Sequence, residues 1–548
     1  MHIVRIGGEA TELRSAEEIG AKAANLARMA ALGLPVPPAF VLPVRLCADI
    51  IASHAHAERH MRDGLAEGIA FLEEATGKRF GDRRQPLLVS VRSGAARSMP
   101  GMLDTVLNVG CTSSAVLGLI RATGRPRLAW DCRRRFLESF GETVLGLDPA
   151  SFATCISGLV GAEGVANDRE LDSEALERLA AEEQVLIEDS ADGWLEDAAA
   201  QLAAAAQAVY RSWTSERAQT YRKLQQLEEL EGTAVTVQAM VFGNGGLASG
   251  AGVAFSRNPS TGAPRPMIDL VLDAQGEDVV SGRRCPDPDD AIARALPTIE
   301  TELGDMLKLL EREFGDVQDV EFTVEDGKLW ILQTRAAKRT PRAAVRIAID
   351  LVHEGLITTD EASARITGID LASLTVISLV SPDAPVASGI GASGGIGVGR
   401  AAFDSESARR LSATGEPVIL LRPDTSTADV AGFAVAAGIV TAVGARTSHA
   451  ALVARQMGKP CVVGCSELTI DVAARRTQLG HATLSEGDWI TIDGDTGQLY
   501  LGRCQTVETR PETELAEIAK WRSLENSTRE MRGSERRLNP EHQVPAGL

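Results

Sequence analysis

Residues 112 to 228 read as one helical block. Ala, Leu, Glu and Arg dominate runs such as Ser173–Ile187, Trp194–Val209 and Arg211–Leu230, which predicts helix after helix. The flanks differ. Leu87-Leu-Val-Ser-Val91 reads as a buried strand, and from Gly232 to Arg339 Val, Ile and Phe alternate or run together between glycine turns. A helical block of this length between two strand-bearing pieces predicts a helical insertion into an α/β unit.

The remaining segments divide the chain further. In residues 1–110 helix and strand mix: Ser15-Ala-Glu-Glu18 fits a capping box, with a helix to about Leu32 stopped by Gly33, Pro35, Pro37 and Pro38. Residues 341–384 predict a helical linker. Residues 385–503 predict a second compact unit of short strands, with Asp493-Gly-Asp-Thr-Gly497 as a hairpin turn. Residues 504–548 form a charged tail, much of it expected to be weakly ordered. The expected class is α/β and α+β, multidomain, with the first domain spanning 1–340.

The formal charge of −19 over 548 residues argues against nucleic acid or an anionic membrane as the main partner. No apolar run approaches the roughly 20 residues of a membrane span, and Met1-His-Ile-Val-Arg-Ile lacks a signal peptide's apolar core. With eight scattered cysteines, the expectation is a cytoplasmic protein. Cys461 and Cys465 stand close but lack further ligands, so buried thiols are the better reading. His54, His56 and His60 share one helical segment that is rich in alanine and charge. A solvated face is preferred there over a metal site.

Gly444-Ala-Arg-Thr-Ser-His449-Ala-Ala-Leu-Val-Ala-Arg-Gln-Met-Gly-Lys-Pro460 predicts a helix capped by Thr447 or Ser448, with His449 in its first turn and Gly458 and Pro460 ending it. First-turn amides and the positive end of the helix dipole favour a phosphate and disfavour an imidazolium. A neutral imidazole there suits a phosphoryl carrier. A capped helix with an incidental surface histidine is the alternative.

In Asp319-Val-Glu-Phe-Thr-Val-Glu-Asp-Gly-Lys-Leu-Trp-Ile-Leu-Gln-Thr-Arg335, a three-residue loop Glu325-Asp326-Gly327 predicts Val320, Phe322, Trp330 and Leu332 on one face. Asp319, Glu321, Gln333 and Arg335 then share the other. Two carboxylates and an amide on one surface suit Mg²⁺ bridging nucleotide phosphates, and a solvated face with a cross-strand ion pair is the alternative. A two-residue turn would split the polar set. Gly243-Asn-Gly-Gly-Leu-Ala-Ser-Gly-Ala-Gly252 can bring amides to phosphates or act as a lid, and it fits neither a P-loop nor a Rossmann pattern. Lys22 and Arg92 are candidate phosphate cations, with plain surface charge as the alternative.

Five segments, 87–110 (LLVSVRSGAARSMPGMLDTVLNVG), 237–262 (VQAMVFGNGGLASGAGVAFSRNPSTG), 273–282 (DAQGEDVVSG), 317–335 and 446–465 (RTSHAALVARQMGKPCVVGC), resemble the pyruvate, phosphate dikinase family in that family's order. With weaker matches the likeness covers roughly residues 5–525. The resemblance implies an ATP-grasp nucleotide domain with a helical insertion, followed by a swivelling β/β/α phosphohistidine domain. It implies that ATP and inorganic phosphate yield AMP, pyrophosphate and phosphohistidine, and that the phosphoryl group then passes to pyruvate. By that resemblance Lys22 and Arg92 hold ATP phosphates and Gln238 lies near the adenine. Asp319, Glu321 and Gln333 bind nucleotide and Mg²⁺, Arg335 steadies the transferring phosphates, and His449 is the carrier. Thr447 matches a threonine phosphorylated in plant relatives, though a capping role is preferred here.

Two alanines, Ala21 and Ala23, stand where the family has glycines, and Asp269 stands where relatives usually carry glutamate. The family's phosphoenolpyruvate and pyruvate site lies on a C-terminal barrel of about 250 residues, whereas 45 residues follow Arg503. The acceptor is therefore expected on a separate barrel protein or to be a small molecule. The competing expectations are a non-catalytic nucleotide-sensing regulator and a kinase for a different acceptor.

Overall fold

The structure, a computed structural model, describes residues 2–8, 11–97, 99, 102–188, 194–280, 291–380, 383–425 and 429–521. It divides into two compact units. The first comprises Met1–Ala251, Leu272–Gln275 and Val320–Arg335; the second comprises Gly252–Val271, Gly276–Asp319 and Ala336–Leu548.

The first unit is built on a five-stranded antiparallel sheet in the order Val4–Ile6, Ala39–Leu42, Ala234–Ala239, Val89–Gly94, Thr105–Val109. Val89–Gly94 pairs with Ala234–Ala239 from Val89↔Ala239 to Gly94↔Ala234, so the two flanks of the helical block meet at the sheet's centre. All six residues of Ala234–Ala239 are buried, as expected of a strand covered on both faces. The block itself forms the helices Ser113–Thr123, Pro126–Thr143, Pro149–Glu163, Ser173–Glu188, Ala198–Arg211 and Glu216–Leu224. Phe136, Phe140, Leu202 and Val209 from these helices share one core with Val89, Val91, Val235 and Val237 of the sheet.

Two local expectations are corrected in this unit. The Ser15 helix is only Ala16–Ile19, without a side-chain cap bond, and a second helix, Ala21–Ala31, starts beyond Gly20. Gly20 has φ 81°, and a Cβ there would lie 2.1 Å from the Gly94 carbonyl oxygen, so close backbone approach breaks the helix. The turn between Gln318–Glu325 and Lys328–Ala336 holds two residues, not three. Asp326 (φ 51°) and Gly327 (φ 75°) are both left-handed, as a type I′ turn requires. The buried apolar set is accordingly Val320, Phe322, Val324, Leu329 and Ile331, while Trp330 and Leu332 are half-exposed.

The second unit contains an eight-stranded sheet in the order Ala387–Ser388, Gln498–Leu501, Trp489–Asp493, Ile396–Ala402, Val418–Arg422, Gly438–Thr441, Cys461–Val463, Ile390–Ser393. Four consecutive strands, Ile396–Ala402 to Cys461–Val463, are parallel. They are linked by the helices Ser405–Ser412, Val430–Val435 and His449–Met457. Alternate residues of Val418–Arg422 point to opposite faces. Val418 and Leu420 pack with Ala408, Phe433 and Ala450 of the helices. Ile419 and Leu421 pack with Leu468, Leu479 and Leu484 of a three-stranded sheet. The layers are therefore small sheet, large sheet and helices. Strands Trp489–Asp493 and Gln498–Leu501 pair across the expected 493–497 turn.

The helices Pro341–His353 and Thr359–Ile366 also belong to this unit. The tail is more ordered than expected at its start. Thr506–Thr509 pairs with Val376–Leu379, residues 512–521 are helical, and Ile518 and Trp521 are buried. The expectation for 522–548 lies outside the described residues.

Candidate functional site

In the first unit, the close contact of Gly20 with Gly94 sets the start of helix Ala21–Ala31 against the end of strand Val89–Gly94. Ala21 N–H donates to the Ala95 carbonyl at 2.9 Å, and Asn25 Nδ2 donates to the Thr334 carbonyl at 3.1 Å. These links bring Lys22 from the helix, Arg92 from the strand, and Glu321 and Arg335 from the hairpin into one electrostatic neighbourhood. The Lys22 side chain keeps contact with water, yet the protein atoms around it push its pKa down to about 8. The Arg92 charge adds to that fall, Glu321 opposes it, and Arg335 adds again. Three cations in one neighbourhood repel one another, and a bound anion would relieve that repulsion.

Gln333 Nε2 donates to Glu321 Oε1 at 3.5 Å, although regular alternation from the two-residue turn would set these side chains on opposite faces. Gln333 and Thr334 are both buried. Asp319 is also buried. Glu321 and Gln333 offer hard oxygen donors, which fit Mg²⁺ rather than a softer metal. Gln238 lies on the central strand, opposite Ser90 and next but one to Thr236, which is opposite Arg92. Gln238 and Arg92 thus share one face of the sheet. Gln238 Nε2 donates to the Pro37 carbonyl at 3.2 Å.

The glycine-rich loop is tethered within the same unit. Asn244 donates to Asp131 Oδ2 at 2.7 Å and accepts from Gln275 Nε2 at 2.8 Å. Gly327 N–H donates to the Ala248 carbonyl at 2.8 Å. Between these anchors Leu247 is 83% exposed.

In the second unit His449 is the first residue of helix His449–Met457. Ser448, not Thr447, is the cap: its hydroxyl accepts from Ala451 N–H at 3.4 Å. Thr447 Oγ1 instead donates to the Val279 carbonyl at 3.5 Å, which corrects the expected capping role. Gly458, at φ 64°, ends the helix in the left-handed form. The His449 ring lies 6.2 Å from the Phe433 ring at 32°. Burial lowers its pKa below the ordinary value, against the opposing pull of Asp429 and Asp424. Nε2 is buried and makes no hydrogen bond. A neutral imidazole with an uncommitted ring nitrogen, beside first-turn amides that have no intrahelical partner, can attack phosphorus and then hold the product.

Sequence reasoning missed Phe433 and Asp429, which set the imidazole's environment, and the ion pair of Arg446 with buried Asp269. Arg446 Nε also donates to the Gly391 carbonyl at 3.2 Å. Asp429 precedes an apolar run, but nothing in the local pattern tied it to His449.

Residues 53–301 and 296–355 match the family model of the pyruvate phosphate dikinase AMP/ATP-binding domain, and 414–497 match that of the PEP-utilising enzyme mobile domain. Pyruvate, phosphate dikinase of Clostridium symbiosum is 41% identical over 510 residues, covering 92% of this chain and 58% of the relative. The chloroplastic pyruvate, phosphate dikinase 1 of Arabidopsis thaliana is 41% identical over 508 residues, covering 92% and 53%. Pyruvate, phosphate dikinase 2 of Zea mays is 42% identical over 496 residues, covering 89% and 56%. The chain thus spans little more than half the length of these relatives.

Proposed function

The chain belongs to the pyruvate, phosphate dikinase family, and from that premise we propose that it uses ATP and inorganic phosphate to phosphorylate His449. The observation that carries the reading is the His449 imidazole, held neutral by burial, with Nε2 uncommitted at a helix N-terminus. Atoms balance if the β-phosphoryl group forms a bond to His449 while the γ-phosphoryl group joins inorganic phosphate. AMP and pyrophosphate are then the products.

Lys22, Arg92 and Arg335 act as the phosphate cations, and bound phosphates raise the Lys22 pKa back toward its ordinary value. Mg²⁺, held by Glu321, Gln333 and Asp319, would offset charge on the nucleotide oxygens. Gln238 takes its place beside the base. The description of the matched C-terminal region as a mobile domain supports a carrier that delivers phosphoryl groups to an acceptor. That acceptor is pyruvate or another small molecule, bound by a partner or by a further part of a longer protein.

Retention of Lys22, Arg92, Asp319, Glu321, Gln333, Arg335 and His449 supports catalysis over a purely nucleotide-sensing role. Ala21 and Ala23, in place of family glycines, favour the sensing role. Against that, the Ala23 methyl is fully buried, so its extra carbon packs into protein rather than toward phosphate. The test is incubation of the purified chain with Mg²⁺ and ATP, with and without inorganic phosphate. Phosphate-dependent AMP and pyrophosphate are expected. ATP binding with neither product would select the regulator.

A further inference from the structure

We propose that Asp49, His54 and His56 form a surface site for a transition-metal dication of the zinc class, separate from the Mg²⁺ residues of the nucleotide side. Asp49 lies in the short helix Cys47–Ile51, His54 precedes the long helix Ala55–Thr76, and His56 lies in its first turn. The chain between the two helices turns through Ser53, a non-glycine residue in the left-handed region at φ 55°. Ser53 N–H donates to the Ile50 carbonyl at 3.0 Å and His54 N–H to the Asp49 carbonyl at 3.0 Å. This corner folds His54 and His56 back over Asp49.

The resulting corner places one carboxylate and two imidazoles within reach of a single ion. Asp49 Oδ1 is 3.1 Å from His54 Nδ1 and Asp49 Oδ2 is 3.5 Å from His56 Nε2. One donor atom from each of the three residues lies within 4.8 Å of the other two. With metal–ligand bonds of about 2.0–2.1 Å, the edge of a tetrahedral site is roughly 3.3 Å. The two carboxylate–imidazole separations already lie near that edge.

The imidazole rings of His54 and His56 stack at 5.5 Å and 23°, which keeps them side by side. Two imidazoles and one carboxylate select Zn²⁺ or a similar ion and reject Mg²⁺, which takes oxygen ligands. All three side chains are substantially exposed, at 43%, 52% and 56%, so the fourth position is open to water or a partner's ligand. His60, whose ring lies 6.0 Å from that of His56 and edge-on to it, stands one turn further along and outside the ligand set. Bound metal would tie the end of one helix to the start of the next.

The test uses the full chain, stripped with a chelator and titrated with Zn²⁺ against a chromophoric competitor in excess Mg²⁺, so that the nucleotide-side carboxylates are saturated. Co²⁺ is substituted in parallel. One Zn²⁺ per chain is expected, with a four-coordinate visible Co²⁺ spectrum and a rise of a few degrees in Tm. Asp49→Asn and His56→Gln should each weaken Zn²⁺ binding by at least the ~10–100-fold that loss of a supporting group costs a metal site. His60→Gln should leave binding unchanged. Exposure makes all three substitutions tolerable to the fold, and circular dichroism checks this. Unaltered Zn²⁺ affinity in both ligand variants, or loss of binding in His60→Gln, would overturn the assignment.

Discussion

The histidine helix and the nucleotide-side cluster assemble reactive groups by different means. The histidine side is local: one continuous stretch, Gly444 to Pro460, supplies the cap Ser448, the nucleophile His449 and the terminating Gly458. Only Phe433 and the two aspartates arrive from elsewhere, and from the same unit. The nucleotide side is non-local. Lys22, Arg92, Glu321 and Arg335 come from a helix, a sheet strand and a distant hairpin, brought together by the Gly20–Gly94 approach and the Asn25 bond. A local site depends on helix capping and burial. A non-local one depends on backbone contacts that leave little trace in the sequence around each residue.

That contrast predicts separable failures. The largest effect is expected from His449→Ala. Without a nucleophile, AMP formation should fall by roughly 10⁶, the scale seen for loss of a nucleophile elsewhere. ATP affinity, measured by calorimetry, should stay within about twofold. Loss of ATP binding in this variant would break the separation.

Lys22→Ala should act in the opposite sense. Loss of a charge-assisted contact costs about 1.5–3 kcal/mol, so ATP affinity should fall roughly 10–100-fold while the capped histidine helix is untouched. The depressed Lys22 pKa adds a sign. At pH 8.5 the unliganded lysine, at about 8, is mostly neutral, and bound phosphates should restore its proton. Calorimetry in buffers of different ionisation enthalpy should show proton uptake on ATP binding, absent in Lys22→Ala.

Ser448→Ala should cost about 1 kcal/mol of stability through loss of the cap, read by denaturant unfolding, with no change in ATP binding. The smallest effect is in pH dependence. The His449 pKa lies below its ordinary value, so the neutral, reactive form persists to lower pH than in a free imidazole. The acid limb of the phosphorylation rate should therefore lie below about 6.5. Phe433→Ala, by opening the site to water, should move that limb upward.

The comparison also marks what was legible in the sequence. The helix start at Thr447–Ser448, its stop at Gly458, the helical block and the 493–497 turn all rest on neighbours in the chain, and each could be read from them. The division between Ser448 as cap and Thr447 as a donor to Val279 could not, because the Val279 carbonyl lies far away in sequence. The hairpin is instructive in both directions. Asp326-Gly327 is a strong two-residue turn signal, and preferring a three-residue loop gave the wrong apolar face. The Glu321–Gln333 contact forms nonetheless, at 3.5 Å. The split at Gly20 escaped notice because its cause, the Gly94 carbonyl, lies on another strand. For the same reason the histidines at 54 and 56 gave no clear metal signal alone. Asp49 joins them only through the left-handed turn at Ser53.

The most direct test of the central claim is the chemical fate of the β-phosphoryl group. The chain is incubated with β-labelled ATP, Mg²⁺ and inorganic phosphate, and the label is located by peptide mapping under alkaline conditions that preserve phosphohistidine. The account predicts acid-labile label on the peptide containing His449, formed in step with AMP and absent from His449→Ala. Label on any other residue, or AMP release with no protein label, would contradict it.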